Sequence, residues 1–242
     1  MRNPYAVFSF EEKTLTFFYK EIDPQKSWNI WIEDEQSIGF LINPKRNGNP
    51  DWTIDNINDK IETVIFDKTF KNFKPNFTSY WFSGLKNLKT IKNLDFLDTS
   101  NVEDMRFMFS DCNSLEEIDL SHFDTSKVKN FSYMFDHDYL LETLDLSSFS
   151  NESVVWEDKP HEEFDNGYAS MFWGCSNLET IYASNKWDEN QSVLPLSGWL
   201  FADCPSLIGG EGSKPFDPEY DGPYARIDNG PQKPGYFTLR EK

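Results

Sequence analysis

FMFSDCNSLEEIDLSHFDTS, residues 107–126, and YMFDHDYLLETLDLSSFSNE, residues 133–152, are one unit written twice. Each opens on a cluster of aromatic residues and Met around an anchor, Phe109 or Phe135. A leucine follows six residues later (Leu115, Leu141), Ile118 or Leu144 at nine, and Leu120 or Leu146 at eleven. Side chains two apart on a strand share a face. Ile118 and Leu120 are therefore predicted to point inward, and Glu117 and Asp119 outward.

The same spacing extends in both directions. Phe82, Phe172 and Phe201 anchor further copies, so that successive anchors lie 27, 26, 37 and 29 residues apart. Leu88, Leu178 and Leu207 repeat the first leucine, and Ile91 and Ile181 the next position. The fifth copy breaks at Gly210, and Asn93 and Ala183 are weak versions of the last position. A degenerate copy, Ile61-Glu62-Thr63-Val64-Ile65-Phe66, precedes the first anchor. Self-similarity at a fixed short period marks a repeat architecture in which each unit covers its neighbour. The runs 115–120 and 141–146 are expected to lie parallel, with neighbouring strands ~4.8 Å apart.

In the other half of the unit, Val128, Phe131, Met134 and Phe135 follow at helix-like intervals, and Asp124, Thr125 and Ser126 are competent caps. The stretch from Asp98 through Val102 and Met105 to Phe109 repeats this one unit earlier, with Leu97 as an inserted residue. The predicted fold class is an α/β solenoid: a leucine-rich-repeat-like parallel sheet with short helices or turns on the convex side and a β-rich N-terminal cap. Residues 1–60 form the cap, where Tyr5–Phe10 and Thr14–Tyr19 look like a hairpin and Trp28, Ile30 and Ile32 alternate. Residues 61–210 form the repeats, with an insertion near 150–167, and 211–242 form a Gly/Pro-rich closing segment.

Aromatic residues make up 17% of the chain, with Phe at 22 copies, so large apolar side chains supply the core although hydrophobic residues total only 38%. The formal net charge of −18 disfavours nucleic acid and anionic membrane surfaces as partners. No run approaches the ~18–20 apolar residues that span a bilayer, and the start, Met1-Arg2-Asn3-Pro4-Tyr5, shows no export signal.

The units Asp98–Met105 and Phe107–Leu115 through Ser126 resemble the repeats of the BspA-like surface proteins of bacteria. The end, Tyr224–Thr238, and the opening, Pro4–Val7 with Leu15–Tyr19, are similar to that family's usual end segments. The resemblance implies a leucine-rich-repeat fold, a setting at the cell surface or outside the cell, and attachment to host, matrix or other cells. It brings no catalytic residues and no identified ligand. The 150–167 insertion departs from the pattern, and no wall anchor is visible.

Read from the residues, the three cysteines Cys112, Cys175 and Cys204 each follow an anchor by three positions, where Leu85 and Asp138 stand in the other copies. A buried apolar column is the main reading, with a disulfide or a reactive thiol as alternatives. His122, His137 and His161 lack metal-ligand spacing and are expected at the surface. No nucleophile elbow, phosphate loop or dinucleotide fingerprint occurs, so the chain is read as no enzyme and as needing no cofactor.

The acids Asp217, Glu219 and Asp221, and those at 157, 158, 162, 163 and 165, are candidate calcium ligands without matching an EF-hand loop. The expected binding face is the outward side of the sheet, for a protein ligand such as a host or extracellular-matrix protein. Its candidate residues are Ile65, Lys92, Glu117, Asp119, Thr143, Asp145 and Tyr182. Two alternatives are a carbohydrate-binding surface built from Trp28, Trp31, Trp52, Trp156 and Trp187, with Trp81, Trp173 and Trp199 in the core, and a structural spacer without a ligand.

Overall fold

The computed structural model describes residues 2–22, 30–34, 36–42, 50–53, 57–154, 167–188, 199–215 and 221–240. Strands β1 (Arg2–Ser9) and β2 (Thr14–Glu21) form the expected hairpin, antiparallel from Arg2↔Glu21 to Ser9↔Thr14. Strands β3 (Ile30–Asp34) and β4 (Ser37–Leu41) extend it, with β4 against β1. Alternation places Ala6, Phe8, Leu15 and Phe17 in the core. Strand β2 pairs in parallel with β5 (Thr63–Phe66), which pairs in parallel with β6 (Thr90–Lys92), giving one six-stranded mixed sheet of order β3-β4-β1-β2-β5-β6.

A second, three-stranded parallel sheet holds β7 (Thr143–Leu146), β8 (Thr180–Ala183) and β9 (Phe237–Leu239). Between the two sheets, residues 115–120 form no strand.

The solenoid reading is therefore overturned. The described residues contain no α-helix and no parallel sheet running through the repeats, and the expected pairing of 115–120 with 141–146 is not made. The chain is mostly β, in two small sheets.

The helical expectation failed for a local reason. In each unit the residue two before the anchor (Tyr80, Phe107, Tyr133, Ser170, Trp199) and the residue two after it (Gly84, Asp111, His137, Gly174, Asp203) have positive φ, from 53° at Ser170 to 77° at Gly174. A left-handed residue ends a right-handed helix. The apolar spacing that looked helical instead comes from consecutive three-residue turns, such as Val128 N–H to Thr125 O and Met134 N–H to Phe131 O.

Those turns make an inter-unit ladder. The N–H groups of Tyr80, Phe82 and Gly84 donate to the carbonyls of Arg106, Met108 and Ser110 at 3.1, 2.9 and 2.8 Å. Phe107, Phe109 and Asp111 do the same to Ser132, Met134 and Asp136, and Tyr133, Phe135 and His137 to Ala169, Met171 and Trp173. Every donor points toward the C-terminal side, so one end of the ladder needs donors and the other an acceptor. Trp52 Nε1 and Asn58 Nδ2 supply the first, donating to the carbonyls of Trp81 and Gly84. The buried Asp221 supplies the second, accepting from the N–H groups of Leu200 and Phe201 at 2.9 and 2.6 Å. Asp221, a candidate calcium ligand in the sequence, is thus engaged inside the fold.

Inside this ladder the anchor rings stack near-parallel: Phe82 on Phe109 at 5.3 Å, Phe109 on Phe135 at 5.6 Å, Phe135 on Phe172 at 5.9 Å and Phe172 on Phe201 at 5.4 Å. One apolar core runs from Ala6 to Phe237 and joins both sheets.

Candidate functional site

The break between the sheets starts at one residue. At the position filled by Leu120, Leu146 and Ala183 in other units, the first unit has Asn93, which is left-handed (φ 56°) and caps the Phe66 carbonyl through Nδ2 at 3.2 Å. Strand β6 stops there, and Leu94 takes the buried place. The next run, 115–120, leaves a cleft of about 450 Å³ against β6, lined among others by Thr90, Ile91, Asp95, Glu117, Ile118 and His122. A second cleft, of about 660 Å³, is lined by Thr90, Glu116, Glu117, Leu140, Glu142 and Asn177 among others. Ile91 and Ile118 form a half-buried floor, whereas the corresponding Val64, Leu144 and Ile181 are fully buried.

The expected face is divided three ways. Ile65 and Lys92 are register partners on the first sheet. Glu117 and Asp119 line the cleft. Asp145 and Tyr182 are partners on the second sheet, with exposed Thr143 at the start of β7. All seven positions retain solvent exposure, but they are not equally open. Arg240 bridges Asp145 at 3.0 Å and lies over the Tyr182 ring at 4.7 Å, so the chain's own C-terminal segment covers that end. Asp119 and Asp145 also accept the N–H groups of Ser121 and Ser147, at 2.9 Å each. Asp67, Asp98 and Asp124 make the same local turn, which accounts for part of the chain's acidity. Among the described residues, Glu116 and Glu117 make no such bond.

The residues that reading outward positions overlooked are Ile91, Ile118, Asp95 and His122. His122 was expected at the surface, but it is half-buried and its Nε2 has no hydrogen-bond partner among the described residues. Burial holds its pKa below the usual imidazole value, against the opposing pull of Asp119, the Leu94 carbonyl and Asp95. The signal that could have located the break was Asn93 at an otherwise apolar position.

Other expectations are corrected. Trp52 and Trp187 belong to the core, donating to the Trp81 and Ala225 carbonyls, while Trp199, expected inside, is 39% exposed. Trp28, Trp156, His161, the acids at 157–165, Asp217 and Glu219 lie outside the described residues, as does the side chain of Trp31. Among the described residues, no group of three or more His, Cys, Asp or Glu could hold a metal, and no helix is long and apolar enough to cross a membrane.

The cysteines are free and buried, and their thiols donate to the anchor carbonyl one unit back: Cys112 to Phe82, Cys175 to Phe135 and Cys204 to Phe172. Burial raises all three, Cys204 to about 12, so they stay protonated, the opposite of what thiolate chemistry requires.

Asp138 occupies the same column. Its Oδ1 accepts from Cys112 N–H at 2.8 Å, and its fully buried Oδ2 has no hydrogen-bond partner among the described residues. Burial pushes its carboxyl well above the usual aspartate value; the Cys112 amide opposes this, and Asp136 and Asp111 add to it. A raised carboxyl binds its proton more tightly in the folded state, so stability falls as pH rises from 3.8 toward the folded value. Asp138→Asn keeps the acceptor and adds a neutral donor. It should stabilise the protein by roughly 1–3 kcal/mol near pH 7, with the gain shrinking toward pH 4 in urea titrations. A variant less stable than wild type at pH 7 would contradict the buried-carboxyl account.

No curated protein and no solved structure matches the chain. Residues 76–194, just under half of the chain and including both banks of the break, are similar to the family described as Mycoplasma protein of unknown function, DUF285.

Proposed function

We propose that the chain is a non-enzymatic recognition module that binds a protein partner at the open acidic face between its two sheets. The observation that carries this reading is the break itself. The turn ladder and ring stack join these same units through Tyr80–Gly84 and Arg106–Ser110, whereas here exposed carboxylates surround a partly uncovered apolar floor. An uncovered apolar patch with a polar rim is a common form of protein-binding surface.

The resemblance to BspA-like surface proteins supports placing the module outside the cell or on its surface, with a host or extracellular-matrix protein as partner. The negative charge favours a basic partner surface over nucleic acid. The carbohydrate alternative loses support with Trp52 and Trp187 buried. The half-exposed rings of Tyr80, Phe107 and Tyr133 are also stacked on each other, at 4.7 and 4.4 Å, which covers both faces of Phe107 and one face of each tyrosine.

The test is Glu116→Arg combined with Glu117→Arg, at two exposed residues that make no hydrogen bond among the described residues. Binding to immobilised extracellular-matrix proteins, followed by surface plasmon resonance, should weaken at least about tenfold, with thermal unfolding within about 1 °C of wild type. Unchanged affinity would remove this face as the site. Wild-type protein that binds none of the matrix proteins would remove the adhesion reading.

A further inference from the structure

Resting on that reading, we propose that the break accepts a strand from the partner: an extended segment in which basic residues alternate with aliphatic ones. Strand β6 is the last strand of its sheet, and the edge it turns to the cleft has no strand beside it among the described residues. An uncovered sheet edge is a template for another chain unless it is blocked by charge, proline or a covering segment. Across the cleft, the backbone groups of Glu116, Glu117 and Ile118 enter no hydrogen bond among the described residues. The β6 edge and the unbonded backbone of 116–118 thus lie on the two sides of one groove, the arrangement that strand addition uses.

The side chains decide which strand fits. Successive residues of a strand alternate between faces. One face of an inserted strand meets Ile91 and Ile118, the half-buried floor, and is best matched by Val, Ile or Leu. The other meets Asp95, Glu116, Glu117, Asp119 and Glu142 around the two clefts. The cation described on these walls, Lys89, already pairs with Glu62 at 2.9 Å, and Lys13 holds the other oxygen of that carboxylate. The walls therefore offer carboxylates to the occupant, and Lys or Arg at alternate positions completes them.

The experiment uses the full chain and a fluorescent peptide of about seven residues alternating Lys and Val, close to a common strand length, read by fluorescence anisotropy. Saturable binding is expected. A Glu/Val peptide, and a Lys/Val peptide N-methylated at every second amide, should each bind at least about tenfold more weakly. Ile118→Trp, which fills the floor, should weaken the Lys/Val peptide similarly, while Lys68→Ala, at an exposed residue that lines neither cleft, should not.

The proposal is overturned if the Lys/Val peptide fails to bind. Equal affinity for the N-methylated peptide also overturns it, since attraction to the acids alone would then explain binding. If Glu116→Arg/Glu117→Arg weakens matrix-protein binding while the N-methylated peptide binds undiminished, strand addition falls and the acidic face stands.

Discussion

Phe135→Ala should lower the unfolding free energy by about 3–5 kcal/mol, the cost of emptying a fully buried aromatic site. The Phe135 ring lies between Phe109 at 5.6 Å and Phe172 at 5.9 Å, within 5° and 2° of parallel. Its removal deprives both neighbours of a stacked partner, worth about 0.5–1.5 kcal/mol per pair beyond buried area. On the Phe109 side no strand pairing joins the units, because residues 115–120 form no strand, whereas on the Phe172 side β7 pairs with β8. Tyr133→Ala, in the half-exposed outer stack, should cost roughly 1 kcal/mol. Urea midpoints measured on the two variants check the ranking. A Phe135→Ala protein within about 1 kcal/mol of wild type would mean that the ring ladder is not what joins the units.

Asp228→Ala should cost on the order of 4 kcal/mol and release the C-terminal segment. The buried Asp228 carboxylate accepts from the N–H groups of Glu211, Ser213, Gly230 and Gly235 and from the Ser213 hydroxyl, at 2.8–3.4 Å. The packing around it is close: a Cβ at Gly209 would lie 2.7 Å from Asp228 Oδ2 and 2.1 Å from the Gly235 carbonyl oxygen. Removing the carboxylate strands several buried donors at once. Strand β9 follows this segment, so the amides of Phe237–Leu239 should exchange faster, and the Arg240 cover over Asp145 and Tyr182 should loosen with them.

Burial pulls the Asp228 carboxyl upward, but the bonds from Ser213, Glu211 and Gly230 outweigh it and hold it below the usual 3.8. A depressed carboxyl adds stability above its unfolded value, and that contribution is lost as pH falls through the folded one. In wild type, faster exchange in β9 should therefore appear below about pH 4, and in Asp228→Ala it should already be present at pH 7. Protection of Phe237–Leu239 unchanged in the variant would show that Asp228 does not hold this segment.

Part of this architecture was legible in the sequence because it depends on local periodicity. The anchors at 82, 109, 135, 172 and 201 were found by spacing alone, and they occupy equivalent places in the ring ladder. The alternation of Leu144 and Leu146 against Thr143 and Asp145 was also correct, since side chains on a strand change face at every residue. The column of Cys112, Cys175 and Cys204 is buried as the main reading had it, because a position that also accepts leucine tolerates only small or apolar groups without penalty.

The helices and the continuous sheet were misread. An apolar interval of three or four residues fits consecutive tight turns as well as a helix, and only the φ angles of Tyr80, Phe107 and Tyr133 distinguish the two. These bulky residues in the left-handed region carry no mark in their own identity; their neighbours one unit away hold them there by hydrogen bonds. Likewise, nothing local told that Asp221 and Asp228 serve buried amides while Glu117 remains open, because each depends on chain that arrives from far along the sequence. The sequence by itself determined the repeat, its anchors and which strand residues face inward, since these follow from spacing along one chain. Only the tertiary structure decided that the strands divide into two sheets with an acidic cleft between them, since that depends on which backbone groups meet a partner across units and which meet none.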